Sequence, residues 1–484
     1  MKNIFKRISP VTLAVVLCFS TMLIYFMSYM DIDNIQYPLT EDISTYDPYV
    51  QQFDAFMKGQ LHIDCEPSEE LLALDNPYNP DERGELEFLW DRALFNGKYY
   101  SYFGIAPIIT VMLPFYLISG MLPSALLVQF VYIGIFSIVF PKLLMLIMDR
   151  YSKKVHWGFK VLLTYVAYLT SFNLLYGRGN NPFYYIACTA AIAFLTLFAY
   201  MFFKGIFEEE HKKRCIYFVF AGLMYALCIH SRINVAFMAV FFVVPPIIFK
   251  VILEKQEIKA KLIQLACLGS FVLVGLVGAL VYNQARFDSP FEFGTTYQLT
   301  VADVSEYELK ISEFDDAIKY YYESTFITSD EHGRNVLKNT DKKTVDRYIY
   351  IEEYFGMYTV SFLMAGFLII FMLFNKKISK AYKITLVSTL VGGFVVAWID
   401  FCLGGVIFRY LADISTEAAV CAVLGTLYLL ELSYGIQNKK IANLLRVAIV
   451  GIVVISLFDI WQIMTVHSIN LFDFRDNSII GRFI

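Results

Sequence analysis

The sequence predicts an all-α polytopic membrane protein with about eleven transmembrane helices, within bounds of about ten to twelve, and a large first outer loop. Three observations carry that expectation. The 484-residue chain is 57% hydrophobic and only 17% charged, with a mean hydropathy of +0.54, a composition typical of membrane-embedded chains. Its apolar residues gather into runs of about 20 residues, the length a helix needs to cross a bilayer. Its lysines and arginines stand in clusters between those runs.

The runs fall at 11–30, 123–147, 157–177, 181–203, 215–231, 233–253, 261–283, 356–375, 382–404, 411–433 and 444–465, with a shorter one at 103–119. The cationic clusters are Lys2/Lys6/Arg7, Arg150/Lys153/Lys154/Lys160, Lys204/Lys212/Lys213/Arg214, Lys250/Lys255/Lys259/Lys261, Lys376/Lys377/Lys380/Lys383 and Lys439/Lys440/Arg446. Lysine and arginine beside a span are retained in the cytoplasm. Placing every cluster inside requires that 103–119 does not cross. Pro107 and Pro114 within that run, and Gly104 and Gly120 at its ends, suit a re-entrant or interfacial helix, which is tolerated where protein or water covers its backbone.

The resulting organisation is a signal-anchor span at 1–30, a first outer loop at 31–122, a transmembrane bundle at 123–283, a second outer loop at 284–355, C-terminal transmembrane helices at 356–465 and an outer tail at 466–484. The N-terminus, MKNIFKR before a long apolar run, has the charge order of a retained anchor with its start in the cytoplasm. The formal net charge of -4 gives no reason to expect a nucleic-acid partner. Seven of the eight cysteines lie in apolar runs and only Cys65 in a long polar loop, so neither a disulfide framework nor a metal-type spacing is available.

The first loop contains TYDPYVQQFDAFMKGQLHID, NPYNPDERGELEFLWD and NGKYYSYFG. Asp47 begins a short amphipathic stretch whose Tyr49, Phe53 and Phe56 can seat it on a membrane surface. Asp47 before Pro48 is equally the pattern of a helix N-cap with proline at the first helical position. Asp54 projects from another part of that helix and fits a solvated face. Asp91 is the third carboxylate, with Arg92 or Lys98 as possible ion-pair partners.

Arg178, Arg232, Arg286 and Arg409 all fall on the side where few cations are expected, as does Lys98 in the loop. A guanidinium is a fork that fits phosphate oxygens, so the set points to an anionic, phosphate-bearing ligand. The alternative is snorkelling to headgroups or pairing with acids such as Asp288 and Asp413. Asp413 and Glu417, four residues apart, share a helical face and suit Arg409 as partners.

The loop pattern D-x-Y, GQL, NPYxP, WD and GKYYxYFGxxP, followed by NxxRFxSPFEFGxxYQL, resembles a family of bacterial multi-span proteins regarded as GT-C glycosyltransferases. More distantly the chain is similar to glycosyltransferase family 39, the protein O-mannosyltransferases and the lipid A aminoarabinose transferases. Asp47, Tyr49 and Gly59 match the acidic first-loop motif of that wider group. Arg178 with Asn180 and Asn181, the turn Ser231-Arg232-Ile233-Asn234, and Arg409-Tyr410 match three later motifs in order. The sequence departs from the group at Gly104-Ile105-Ala106-Pro107, where K-P-P-L is usual, and at Asp47-Pro48, where two acids are usual; Lys98 stands in for the missing lysine.

The resemblance implies a GT-C-like, inverting glycosyltransferase of the plasma membrane, active at its extracytoplasmic face in building cell-envelope polysaccharide. Its substrate would be a sugar on a polyprenyl-phosphate donor, and its acceptor a glycan, lipid or protein. On that reading Asp47 is the base, with Asp54 and Asp91 next. Arg178, Arg232, Arg409, Lys98 and Arg286 hold the donor phosphate, and Tyr49, Tyr100, Tyr102 and Tyr410 contact substrate. Neither a metal nor a cofactor beyond the lipid-linked sugar is required. The alternatives are a transporter or flippase of a lipid-linked or small anionic substrate, and a surface-polysaccharide polymerase or ligase.

Overall fold

The structure, a computed structural model, describes residues 8–40, 42–175, 182–323, 326–329, 335–338, 357 and 360–466. Arg178, Asn180, Asn181 and the tail beyond 466 lie outside the described residues.

The first helix, α1 (Pro10–Tyr29), starts where Ser9 accepts the amide of Thr12 and Pro10 fills the first position, a start that leaves few amides unpaired. The polar segment that follows holds β1 (Gln36–Tyr37), α2 (Pro48–Met57), α3 (Glu69–Leu72), α4 (Pro80–Arg83) and a hairpin of β2 (Ala93–Phe95) and β3 (Lys98–Tyr100). The hairpin turns at Asn96-Gly97, whose φ angles of 49° and 71° belong to the two-residue turn this pair favours. A wide turn over Ile108–Met112 then leads into α5 (Leu113–Ser119), and β4 (Leu122–Pro123) pairs antiparallel with β1, closing the base of the loop.

The apolar helix Ile108–Ser119 spans roughly 18 Å at 1.5 Å per residue, well short of a hydrocarbon core of about 30 Å. Pro114 has no N–H to donate. The helix ahead of it runs in the wider i to i−5 register, with Thr110 Oγ1 donating to the Ala106 carbonyl at 2.7 Å.

The helical body comprises α6 (Ala125–Tyr151), α7 (Trp157–Leu175), α8 (Ile186–Phe207), α9 (His211–Ile229), α10 (Ile233–Ile247) and α11 (Ile258–Phe287). A second polar segment carries α12 (Phe314–Tyr322), β5 (Phe326–Ser329) and β6 (Asn335–Lys338). The last described elements are α13 (Ile369–Met372), α14 (Lys380–Gly404), α15 (Ala412–Gly435) and α16 (Lys439–Val466). Among the described residues eight helices are long and apolar enough to cross a membrane: α1, α6, α8, α10, α11, α14, α15 and α16, some with a short extension. The molecule is mostly helical and fits a multi-pass membrane protein. The remaining segments singled out by hydropathy form α7, α9 and the short helix Ser361–Met372, outside that set of eight.

The two polar segments are not separate units. Residues 297–299 run antiparallel beside β2, bridged at Ala93 and Gln298: Asp91 N–H donates to the Leu299 carbonyl, Leu299 N–H to the Arg92 carbonyl and Leu94 N–H to the Tyr297 carbonyl, each at 2.9 Å. Leu299 is buried with Ile63, Leu71, Leu94 and Tyr99 in a small core. Arg83, itself buried, donates to the carbonyls of Pro77, Tyr78 and Thr300. The first polar segment and the start of the second thus pack together, and are called the cap below.

The cap meets the helices at Gly104. A Cβ there would lie 2.3 Å from the carbonyl oxygens of both His230 and Ser231, and the Ala106 amide donates to the His230 carbonyl at 3.0 Å. Only glycine permits that approach. It seats the end of the loop on the turn that carries Arg232.

Candidate functional site

The residues with chemical potential gather where the cap rests on the helix ends. Arg232 occupies the N-cap position of α10 in extended conformation. Its Nε donates to Asp413 Oδ2 at 2.6 Å, its Nη2 lies 4.0 Å from Asp400 Oδ1, and its guanidinium stands 4.8 Å from the centre of the Tyr410 ring. Asn234, two residues on, donates to Asp400 Oδ1 at 2.6 Å. Tyr410 and Arg409 come from the single turn Phe408–Leu411 before α15. Gly404 makes room for the Tyr410 ring, because a Cβ there would come within 2.8 Å of it.

The Arg409 guanidinium lies 4.6 Å from the Tyr184 ring centre and 5.4 Å from that of Tyr410. Cations over aromatic faces at such distances are stabilised without using their N–H edges. The Tyr184 hydroxyl donates to Asp91 Oδ2, and Gln298 Nε2 reaches Asp91 Oδ1 at 3.5 Å. Asp91, Tyr184, Arg409, Tyr410, Arg232, Asp413 and Asp400 thus form an unbroken chain of contacts across four distant stretches of sequence.

Asp91 is buried and holds a φ of 56°. That left-handed conformation is uncommon outside glycine and concentrates at functional sites. Its bonding partners are Tyr184 and Gln298, neither of them the Arg92 or Lys98 that adjacency in sequence suggests. Tyr102 lies near it; burial first, and then the Asp91 charge, hold the Tyr102 phenol well above its ordinary range. Tyr102 stacks on Phe103 with ring centres 4.4 Å apart.

The other expected residues take structural positions. Asp47 caps α2: its Oδ1 accepts the amides of Tyr49 at 2.8 Å and Val50 at 3.2 Å, with Pro48 as the first helical residue. Burial raises the Asp47 carboxyl above the usual range, opposed by those two amides and by Arg92. Tyr49 is buried on the same helix. Asp54 does not lie on a solvated face; it is buried and pairs with Lys58 at 2.9 Å, because that side of α2 packs inward. Lys98 stands exposed beside the hairpin turn.

Arg286 is a clamp. Its Nη1 donates to the Ser101 carbonyl at 2.6 Å and its Nη2 to Asn283 Oδ1 at 2.9 Å, while its plane stacks 3.8 Å from the Tyr282 ring centre. Tyr100 packs against Phe287, the next residue, with ring centres 5.4 Å apart. These contacts tie the end of the first loop to α11 and do not bring Arg286 to the Arg232 cluster.

Asp400, Tyr184 and Gln298 are site residues that motif matching does not single out. Asp400 had a signal, a single acid within the apolar run 382–404. Gln298 had none, since its place depends on the strand pairing of 297–299. Among the described residues no group of three or more histidine, cysteine or acidic side chains is placed to hold a metal ion. Compared with models of protein families, with curated proteins and with solved structures, the chain matches none.

Proposed function

We propose that this protein is a membrane glycosyltransferase that moves a sugar from a polyprenyl-phosphate donor to a glycan, lipid or protein acceptor at the outer face of the plasma membrane. The observation that carries this reading is the placement of Arg232 and Arg409 about Tyr410 at the helix ends, with Tyr184 linking Arg409 to the buried carboxylate of Asp91. A lipid-linked phosphate has its charge where the hydrocarbon ends, which is the level of these arginines if the cap faces outward. The positive-inside arrangement of eleven crossings puts it there.

In this reading Arg232 and Arg409 stabilise charge on the departing phosphate, and Asp91 accepts the proton of the acceptor hydroxyl. The Tyr184 hydroxyl and Gln298 orient Asp91, and Tyr102 and Tyr410 line the approach. Asp47, the base expected from the loop motif, serves instead as the cap that sets α2, because both amides it accepts fix its oxygen. Arg178 belongs to the proposed phosphate group by its motif alone.

The test is binding of farnesyl phosphate to the purified protein in nanodiscs. Arg409→Gln is expected to weaken binding by about tenfold or more, the scale of one lost charge-assisted contact; equal affinity would remove Arg409 from the site. A transporter or flippase is favoured by one observation, the burial of Asp400, Asp413 and Glu417 within apolar helices. Movement of a fluorescent polyprenyl phosphate between leaflets without sugar transfer would select that reading.

A further inference from the structure

Arg232 faces two carboxylates, and the arrangement leaves them undersupplied. Asp413 Oδ2 takes its Nε, and Asp400 Oδ1 takes Asn234 and a distant Nη2. The second oxygens, Asp413 Oδ1 and Asp400 Oδ2, are buried without a hydrogen-bond partner. The Asp413 and Asp400 side chains are 0% and 1% exposed, so bulk solvent does not reach these oxygens. One guanidinium against two carboxylates leaves an excess negative charge, and an uncompensated charge in this setting is strongly disfavoured.

We propose that Asp400 and Asp413 form a proton-binding site, sharing one proton in the free protein and taking up a second when a phosphate engages Arg232. The shared proton supplies the missing donor and cancels the excess charge. The linkage rests on the functional reading above: phosphate draws the guanidinium from Asp413, and the freed carboxylate then binds a proton from water. No bond other than the O–H is made.

The groups facing the pair are Arg232 at the start of α10, Cys188 of α8, Cys228 of α9, Tyr321 of α12, and Arg409 and Tyr410 of the turn before α15. Glu417 lies one turn further along α15 and accepts from the Cys421 thiol at 3.1 Å. Of these only the two arginines carry positive charge, and Arg409 is stacked on rings. The pair therefore depends on Arg232 and on protons.

Infrared difference spectroscopy on the full-length protein in nanodiscs tests the site. A protonated carboxylic acid band is expected in the free wild type and is expected to be lost in both Asp400→Asn and Asp413→Asn; a band unchanged in either variant would overturn the shared proton. Calorimetry with farnesyl phosphate in buffers of different ionisation enthalpy tests the linkage, at about pH 8, above the second ionisation of the phosphate near 6. Wild type is expected to take up about one proton per ligand bound, and Asp400→Asn/Asp413→Asn about none. Equal uptake by both would overturn the linkage. If the double variant does not fold, ligand-induced growth of the acid band in wild type replaces it, and a static band overturns the linkage. Failure of wild type to bind farnesyl phosphate would count against the phosphate site itself, while the band in the free protein still decides the shared proton.

Discussion

Arg83 and Arg92 in the cap, and Arg286 at the end of α11 beneath it, donate to backbone carbonyls: Arg83 to Pro77, Tyr78 and Thr300, Arg92 to Trp90 and Tyr46, Arg286 to Ser101, with Arg92 also bonding Gln51 and Arg286 also bonding Asn283. Near the helix starts, Arg232 donates to the Asp413 carboxylate and stands over Tyr410, while Arg409 stands over Tyr184 and Tyr410. The same side chain builds a frame in one place and an electrostatic site in the other. An arginine whose fork is filled by carbonyls has little left to offer an anion, whereas one held by its face keeps its edges available. Position on the outer side of a membrane does not by itself tell the two apart.

That contrast can be broken by mutation. Arg409→Gln is expected to lower sugar transfer by about 10²–10³-fold, the scale of a lost transition-state donor, with thermal stability little changed. A measured loss of stability without loss of transfer would put Arg409 in the frame. Arg286→Ala is expected to act the other way, costing about 2–4 kcal/mol in chemical or thermal unfolding by removing a buried fork and its ring stacking. Activity per folded molecule should persist.

Gly104→Ala places a methyl against the carbonyls of His230 and Ser231, and a loss of about 1–3 kcal/mol is expected from the forced backbone shift. The same unfolding measurement reads it, and an unaffected variant would mean that the cap does not rest on the Arg232 turn. Asp47→Ala should be the smallest of the four at about 1 kcal/mol, with Asp47→Asn smaller still because asparagine also caps. Its pH dependence has a sign. The folded Asp47 carboxyl is raised above its ordinary value, so the folded state binds the proton more tightly than the unfolded one. The stability this contributes is present at low pH and is lost as pH rises from the ordinary value through the raised one. Asp47→Asn removes that loss, and its unfolding curve should gain on wild type across the same interval.

Much of the frame was legible because it depends on local patterns. Apolar runs of bilayer length account for the eight spanning-length helices among the described residues, and Asp47-Pro48 became a cap. The failure of 103–119 to reach spanning length followed from its prolines and glycines. What the pattern could not carry was long-range. The pairing of 297–299 with β2 joins segments far apart in sequence and decides where Gln298, Asp91 and the cap stand. Arg232 and Arg409 were visible as unusual cations, but that they share Tyr410 while Arg286 is clamped elsewhere depends on packing. Asp400 was one acid in an apolar run, and its meaning came only from its neighbours Asn234 and Arg232.

The central claim is that the carboxylate beside the paired arginines, and not the one that caps α2, accepts the proton during transfer. Sugar transfer from a radiolabelled polyprenyl-phosphate donor, measured in membranes containing equal amounts of folded Asp91→Asn and Asp47→Asn protein, tests it most directly. The account predicts a loss of about 10²–10⁴-fold for Asp91→Asn and near-normal transfer for Asp47→Asn. Transfer retained by Asp91→Asn and abolished in Asp47→Asn would contradict it.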